Sequence, residues 1–151
     1  MILLSVIPSI ILAVSLGGAI GLERQLSGKA AGLRTNILIC LGATVFTIIS
    51  KQMAEPGGSF TRIAAQIVTG VGFLGAGAII QDRGGVHGLT TAATIWLVAS
   101  IGMACGAGFY GVAIISTIIA IIVLIVLKKM DKSLEQAKAK NQQQNPAENQ
   151  G

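Results

Sequence analysis

Glu23 and Arg24 open a short polar stretch, ERQLSGKAAGLR, that closes at Arg34; Asp82, Arg83 and His87 fall in a second one, DRGGVHG. Each stretch brings acid and base together between long uncharged apolar runs. Carboxylate beside guanidinium gives charge-assisted hydrogen bonds that strengthen where water is partly excluded. At an open surface the same pair contributes little. Arg62 starts another apolar run and Gln66 lies within it, while Thr90 and Thr91 begin the next, where hydroxyls cap a helix start or bond across helices. Glu23, Arg24, Arg34, Arg62, Gln66, Asp82, Thr90 and Thr91 are the candidate functional residues.

The chemistry they offer is charge pairing, not catalysis. No Ser/His/Asp order, nucleophile elbow, phosphate-binding P-loop or H-E-x-x-H motif is present, so no catalytic residue is assigned and no enzyme is expected. A structural zinc needs about four clustered Cys, His or acidic ligands. Here His87 is the single histidine, and Cys40 and Cys105 sit apart in apolar runs. No metal site, cofactor or disulfide is expected. Gly70 to Gly75 matches G-x-G-x-x-G, but it lies inside an apolar run with no βαβ pattern around it, which argues against a dinucleotide site.

The elements that position these residues follow from composition. Of 151 residues, 52% are hydrophobic, 11% are charged and 20 are glycine. Soluble domains carry about 25% charge, and long uncharged runs mark membrane spans. The fold class is an all-α membrane protein with five transmembrane helices, at about 2–22, 36–54, 62–81, 89–105 and 110–127. The first run lacks the basic start of a secretory signal and reads as a retained span. Thr35 and Asn36 read as N-caps of the second. The uncharged stretch Leu89 to Leu127 would be about 58 Å long as one helix, near twice the hydrocarbon thickness, so it must turn, near Gly106, Gly108 and Gly111. Residues 82–88 read as a tight polar loop. Residues 128–151 are polar and Gln/Asn-rich, a tail expected to be largely disordered apart from a short helical continuation past Lys132.

With five spans, nine Lys and Arg fall on the side of the first loop, third loop and tail, and only Lys51 and Arg62 on the other. The positive-inside rule then puts the N-terminus outside and the tail in the cytoplasm. The net charge of +5 is explained this way, and with no basic stripe interleaved with aromatics, nucleic acid is not a partner. In lipid, small residues that let helix backbones approach replace the hydrophobic drive. Gly17 with Gly21, Gly70 with Gly77, and Gly102 with Gly106 are the expected packing glycines, and they suggest a homodimer or larger assembly. No Asp or Glu falls mid-span, although a coupled ion carrier usually needs one.

Three blocks in order, GGAIGLERQ…AAGLRTNIL, RIAAQIVTGVGFLGAGAII and GLTTAATIWLVASIGMACGAGFY, resemble the MgtC/SapB family of bacterial inner-membrane proteins over nearly all of residues 10–125. The resemblance implies a plasma-membrane protein tied to magnesium-limited growth and, in some pathogens, to survival inside host cells. It also implies a membrane-protein partner, with restraint of the ATP synthase as the family's example. A channel or carrier for Mg²⁺ or another small ion is the alternative. Residues matching the family blocks include Gly21, Glu23, Arg24, Arg34, Arg62, Gln66, Gly70, Gly77, Thr90 and Thr91. Two departures stand out. The family's Asp-x-x-Arg before the third span reads Ser59-Phe60-Thr61-Arg62 here, and many members carry a soluble C-terminal domain where this chain has a short tail.

Overall fold

The computed structural model describes the backbone of residues 2–54, 61–82 and 85–144, and side chains within 6–54, 64–81 and 85–128. The order is α1 (Ile2–Leu26), α2 (Leu33–Gln52), α3 (Thr61–Gly77), β1 (Ile80–Asp82), β2 (Gly85–His87), α4 (Leu89–Ala107) and α5 (Tyr110–Gln144). Four segments, Val6–Leu26, Leu33–Gln52, Leu89–Ala107 and Tyr110–Lys128, are long and apolar enough to cross a membrane, and the apolar part of α3, Ala64–Gly77, is shorter.

The chain forms two compact units. In the first, Met1–Thr117, α2 packs against both α1 and α4, and α3 packs on α4 and, less extensively, on α2. Glycine makes both main seams. A Cβ at Gly17 would stand 2.7 Å from the Cys40 Cβ, and one at Gly21 2.8 Å from the Leu33 Cα. Where α4 meets α2, a Cβ at Gly102 would fall on the Cys40 carbonyl oxygen, and one at Gly106 would lie 2.6 Å from the Thr44 carbonyl oxygen. The backbones therefore meet where only hydrogen fits, the close approach that holds helices together in lipid. The Thr44 hydroxyl, 2.8 Å from both the Cys40 and the Gly102 carbonyl oxygens, ties α2 to α4.

Polarity is inverted relative to a soluble protein. Ser9, Asn36, Thr44, Thr47, Ser50, Thr91 and Thr94 are buried, whereas Ile11, Leu38, Phe46, Phe73 and Trp96 are exposed. Interior hydroxyls bond the preceding turn: Thr47 to the Ala43 carbonyl and Thr94 to that of Thr90. An aliphatic exterior over a hydrogen-bonded interior suits lipid as solvent. In the second unit, Ile118–Gly151, the described residues, 118–144, belong to α5.

Several boundaries differ from the sequence expectation. α1 runs to Leu26, past the apolar run, because the helix is closed only at Gly28 (φ +67°), where Gly28 N–H bonds the Gln25 carbonyl and Lys29 N–H bonds that of Arg24. This is the paired-bond glycine stop. α2 begins at Leu33 with Gly32 as N-cap, so Thr35 and Asn36 lie within it and do not cap it. α3 stops at Gly77, not near Gln81. Ile80, Gln81 and Asp82 instead pair antiparallel with His87, Val86 and Gly85, so the expected loop is a hairpin. α4 ends at Ala107 on Gly108 (φ +90°), whose N–H and that of Phe109 take the Cys105 and Ala104 carbonyls. α5 continues past Leu127 to Gln144 across the region expected to be largely disordered.

Candidate functional site

The end of α1 carries a buried ion pair. Arg24 is 2% exposed. Its Nε donates to the Glu23 Oε2 at 2.5 Å, and the Ser27 hydroxyl donates to the other carboxylate oxygen at 2.6 Å. Arg24 lies in the last turn of α1, where the helix dipole favours a cation. The neighbouring Gln25 reaches over the loop: its Oε1 accepts the Leu33 N–H at 3.2 Å, supplying one bond to the start of α2. The α1–α2 corner is thereby closed from both helix ends.

Asn36 completes the corner from α2. Its Nδ2 donates to the Ala31 and Gly32 carbonyls, each at 2.8 Å, and its Cβ lies 3.0 Å from where a Cβ on Gly21 would be. The residue is fully buried, and its Oδ1 has no hydrogen-bond donor among the described residues. Rotating the amide would set Oδ1 against two carbonyl oxygens, so the assignment follows from the bonding. A buried acceptor without a donor costs about 1–3 kcal/mol. Asn36 is thus fixed in place by its amide nitrogen while its oxygen adds strain.

The remaining predicted residues divide. Thr91 is buried at the start of α4, while Thr90 is exposed and offers its carbonyl to Thr94. Arg34 is exposed and makes no ion pair among the described residues, from which the charged side chains of the third loop are absent. Arg34 and Gln66 line opposite walls of an apolar groove between α2 and α3, of about 700 Å³. The side chains of Arg62 and Asp82, and the whole of Arg83, lie outside the described residues; the Asp82 backbone pairs with Gly85. Of the packing glycines, Gly17, Gly21, Gly102 and Gly106 sit in seams, but a Cβ at Gly70 or Gly77 would meet nothing within 4 Å. Among the described residues those two glycines make no close helix contact, whereas a Cβ at Gly75 would stand 3.6 Å from the Ala92 carbonyl oxygen.

Asn36, Gln25 and Ser27 were missed as site residues. The signal for Asn36 was the stripe Asn36, Cys40, Ala43, Thr44, Thr47, small or polar at spacings of three and four, which marks one helix face. No comparable pattern flags Gln25 or Ser27, whose roles depend on how the chain turns.

The sequence pattern that defines the MgtC family matches residues 10–133. The chain belongs to this family. It is 46% identical over 128 residues to the YhiD protein of Escherichia coli (strain K12), named as a candidate magnesium transporter, covering 80% of this chain and 60% of that protein. It is 46% identical over 123 residues to Protein MgtC of Brucella abortus (strain 2308), covering 82% and 51% respectively. Against Protein MgtC of Salmonella typhimurium (strain 14028s) the identity is 45% over 136 residues, covering 90% and 58%. The chain spans between half and three fifths of the length of these relatives. No solved structure matches it. Family membership and the apolar helices together make it a bacterial membrane protein of the MgtC family. Its buried corner falls within the matched region of the MgtC family.

Proposed function

We propose that this MgtC-family chain is a non-enzymatic multi-pass protein of the inner membrane that modulates Mg²⁺ homeostasis or membrane energetics by binding a membrane partner, of which the ATP synthase is one example. All five helices cross the bilayer in this reading, with α3 as a short fifth span, the N-terminus outside and the tail cytoplasmic. The charge bias of nine against two supports that orientation. In this reading the partner contact is at the cytoplasmic end, on the surface that the buried corner of Glu23, Arg24 and Asn36 holds in shape and on the third loop.

One observation carries the reading. The hydroxyls of Thr44, Thr47 and Thr94 bond carbonyls of their own or a facing helix, and the α2–α4 seam is closed by Gly102 and Gly106. These groups hold helices together and leave the conspicuous charge chemistry at one end. Homo-oligomerisation belongs to the proposal, but Gly17 and Gly102 face neighbours within the chain, so a second copy would meet other surfaces, such as Phe73, 83% exposed on α3.

The second reading is a channel or carrier for Mg²⁺, favoured by the name of the E. coli relative. Ion flux into liposomes holding the purified protein separates the two. The modulator reading expects no flux above empty vesicles. Saturable Mg²⁺ uptake that is lost in Gln66→Ala would overturn it.

A further inference from the structure

The α2–α3 groove has dimensions and a charge placement that the partner-binding reading does not use. One wall carries Arg34, Leu38, Gly42 and Phe46, four residues at turn spacing along α2, and the other carries Gln66, Gly70 and Leu74 of α3. From Arg34 to Phe46 the wall rises about 18 Å. One leaflet of a membrane has about 15 Å of hydrocarbon. The groove therefore runs from the interface marked by Arg34 to about the bilayer centre. It stays open because a Cβ at Gly42 or Gly70 would meet no atom within 4 Å.

Its lining and its charge select the occupant. The space of about 700 Å³ runs between walls that are apolar apart from Arg34, Thr35 and Gln66. A polymethylene chain, whose carbons approach neighbours at about 4 Å, needs a cross-section on the order of 20 Å². The groove is wide enough for acyl chain. At its interfacial end the Arg34 guanidinium is exposed without a carboxylate among the described residues, next to exposed Thr35, and exposed Lys29 lies in the loop leading into α2. A guanidinium and a hydroxyl suit a phosphate diester, and a headgroup that brings its own ammonium would be repelled by Arg34 and Lys29.

We propose that the α2–α3 groove binds an anionic phospholipid, with an acyl chain along Leu38, Gly42, Phe46 and Leu74 and the phosphate held by Arg34 and Thr35. Gly42 and Gly70 keep the acyl track open, and Arg34 sets the preference for an anionic headgroup.

Native mass spectrometry of the full chain, released from micelles loaded with palmitoyl-oleoyl phosphatidylglycerol or the matching phosphatidylethanolamine, tests this. Wild type should retain phosphatidylglycerol about tenfold over phosphatidylethanolamine, the scale of one charge-assisted bond. Arg34→Gln should lose that preference while still retaining lipid. Gly70→Leu, whose Cβ meets no atom within 4 Å and whose side chain enters the track, should lose both lipids with no fall in melting temperature. Gly70→Ile tests the same track with a second shape and should behave as Gly70→Leu does. Equal retention of the two lipids by wild type overturns the headgroup assignment. Unchanged retention in both Gly70 variants overturns the groove as the lipid site, and a lipid-free dimer that either variant converts to monomer assigns it to a second copy.

Discussion

Replacing Gly102 by Ala and Gly70 by Ala should move stability in opposite directions, although both glycines come from similar small-residue motifs. At Gly102 the new methyl falls on the Cys40 carbonyl oxygen and stands 2.9 Å from the Ala43 Cβ. Backbone oxygen cannot rotate away, so α2 and α4 must separate. Overpacking of this kind costs about 1–3 kcal/mol. Separation also stretches the bond from the Thr44 hydroxyl to the Gly102 carbonyl, now 2.8 Å, and interhelical bonds in membranes contribute about 0.6 kcal/mol. Alanine returns up to about 1 kcal/mol through its better helix propensity. The net is a loss of about 1–3 kcal/mol. At Gly70 no atom lies within 4 Å of the added methyl, so only the propensity gain remains, up to about 1 kcal/mol. Reversible unfolding in mixed micelles, followed by far-ultraviolet circular dichroism, reads both. If Gly102→Ala is as stable as wild type, or if the two variants shift together, the backbone seam is not what holds α2 to α4.

Breaking the buried pair by Glu23→Gln leaves Arg24 without its carboxylate and should destabilise the protein by about 3 kcal/mol, whereas exposed Arg34→Lys should leave the melting temperature unchanged; scanning calorimetry in detergent checks both. Growth in low Mg²⁺ at matched expression should fall for Glu23→Gln and match wild type for the tail control Lys138→Gln, and a wild-type phenotype for Glu23→Gln removes the corner from the proposed partner surface. Gly108→Ala meets no neighbour but must adopt φ +90°, so it should cost about 1 kcal/mol from backbone strain alone, seen as a lowered unfolding midpoint. For topology, a thiol introduced at Gly57 should react with an impermeant reagent on intact cells and one at Lys138 only after permeabilisation; native Cys40 and Cys105 are buried and should give little background.

The number and order of the apolar segments were legible in the sequence because lipid admits no unpaired charge, and long uncharged runs must therefore be helices that satisfy their own backbone. Gly17, Gly21, Gly102 and Gly106 were legible as packing residues for the same reason: small side chains are what close helix contact in lipid requires. Which glycines have a neighbour was not. Gly70 has the same chemistry as Gly102, and only the placement of α2 against α4, with α3 set wider, decides that one is crowded and the other open. Ile80 and Gln81 continue the apolar run of α3 by pattern, yet they form a strand because Val86 and His87 supply hydrogen-bond partners across a turn. Arg24 reads as one charge of an acid–base stretch in sequence, and Asn36 as a cap. Both are buried because α1 is stopped at Gly28 and α2 is capped at Gly32, turning the chain back so that each helix covers the other's polar end. Local sequence sets what each segment can satisfy by itself, and contacts between segments far apart in the chain decide the rest.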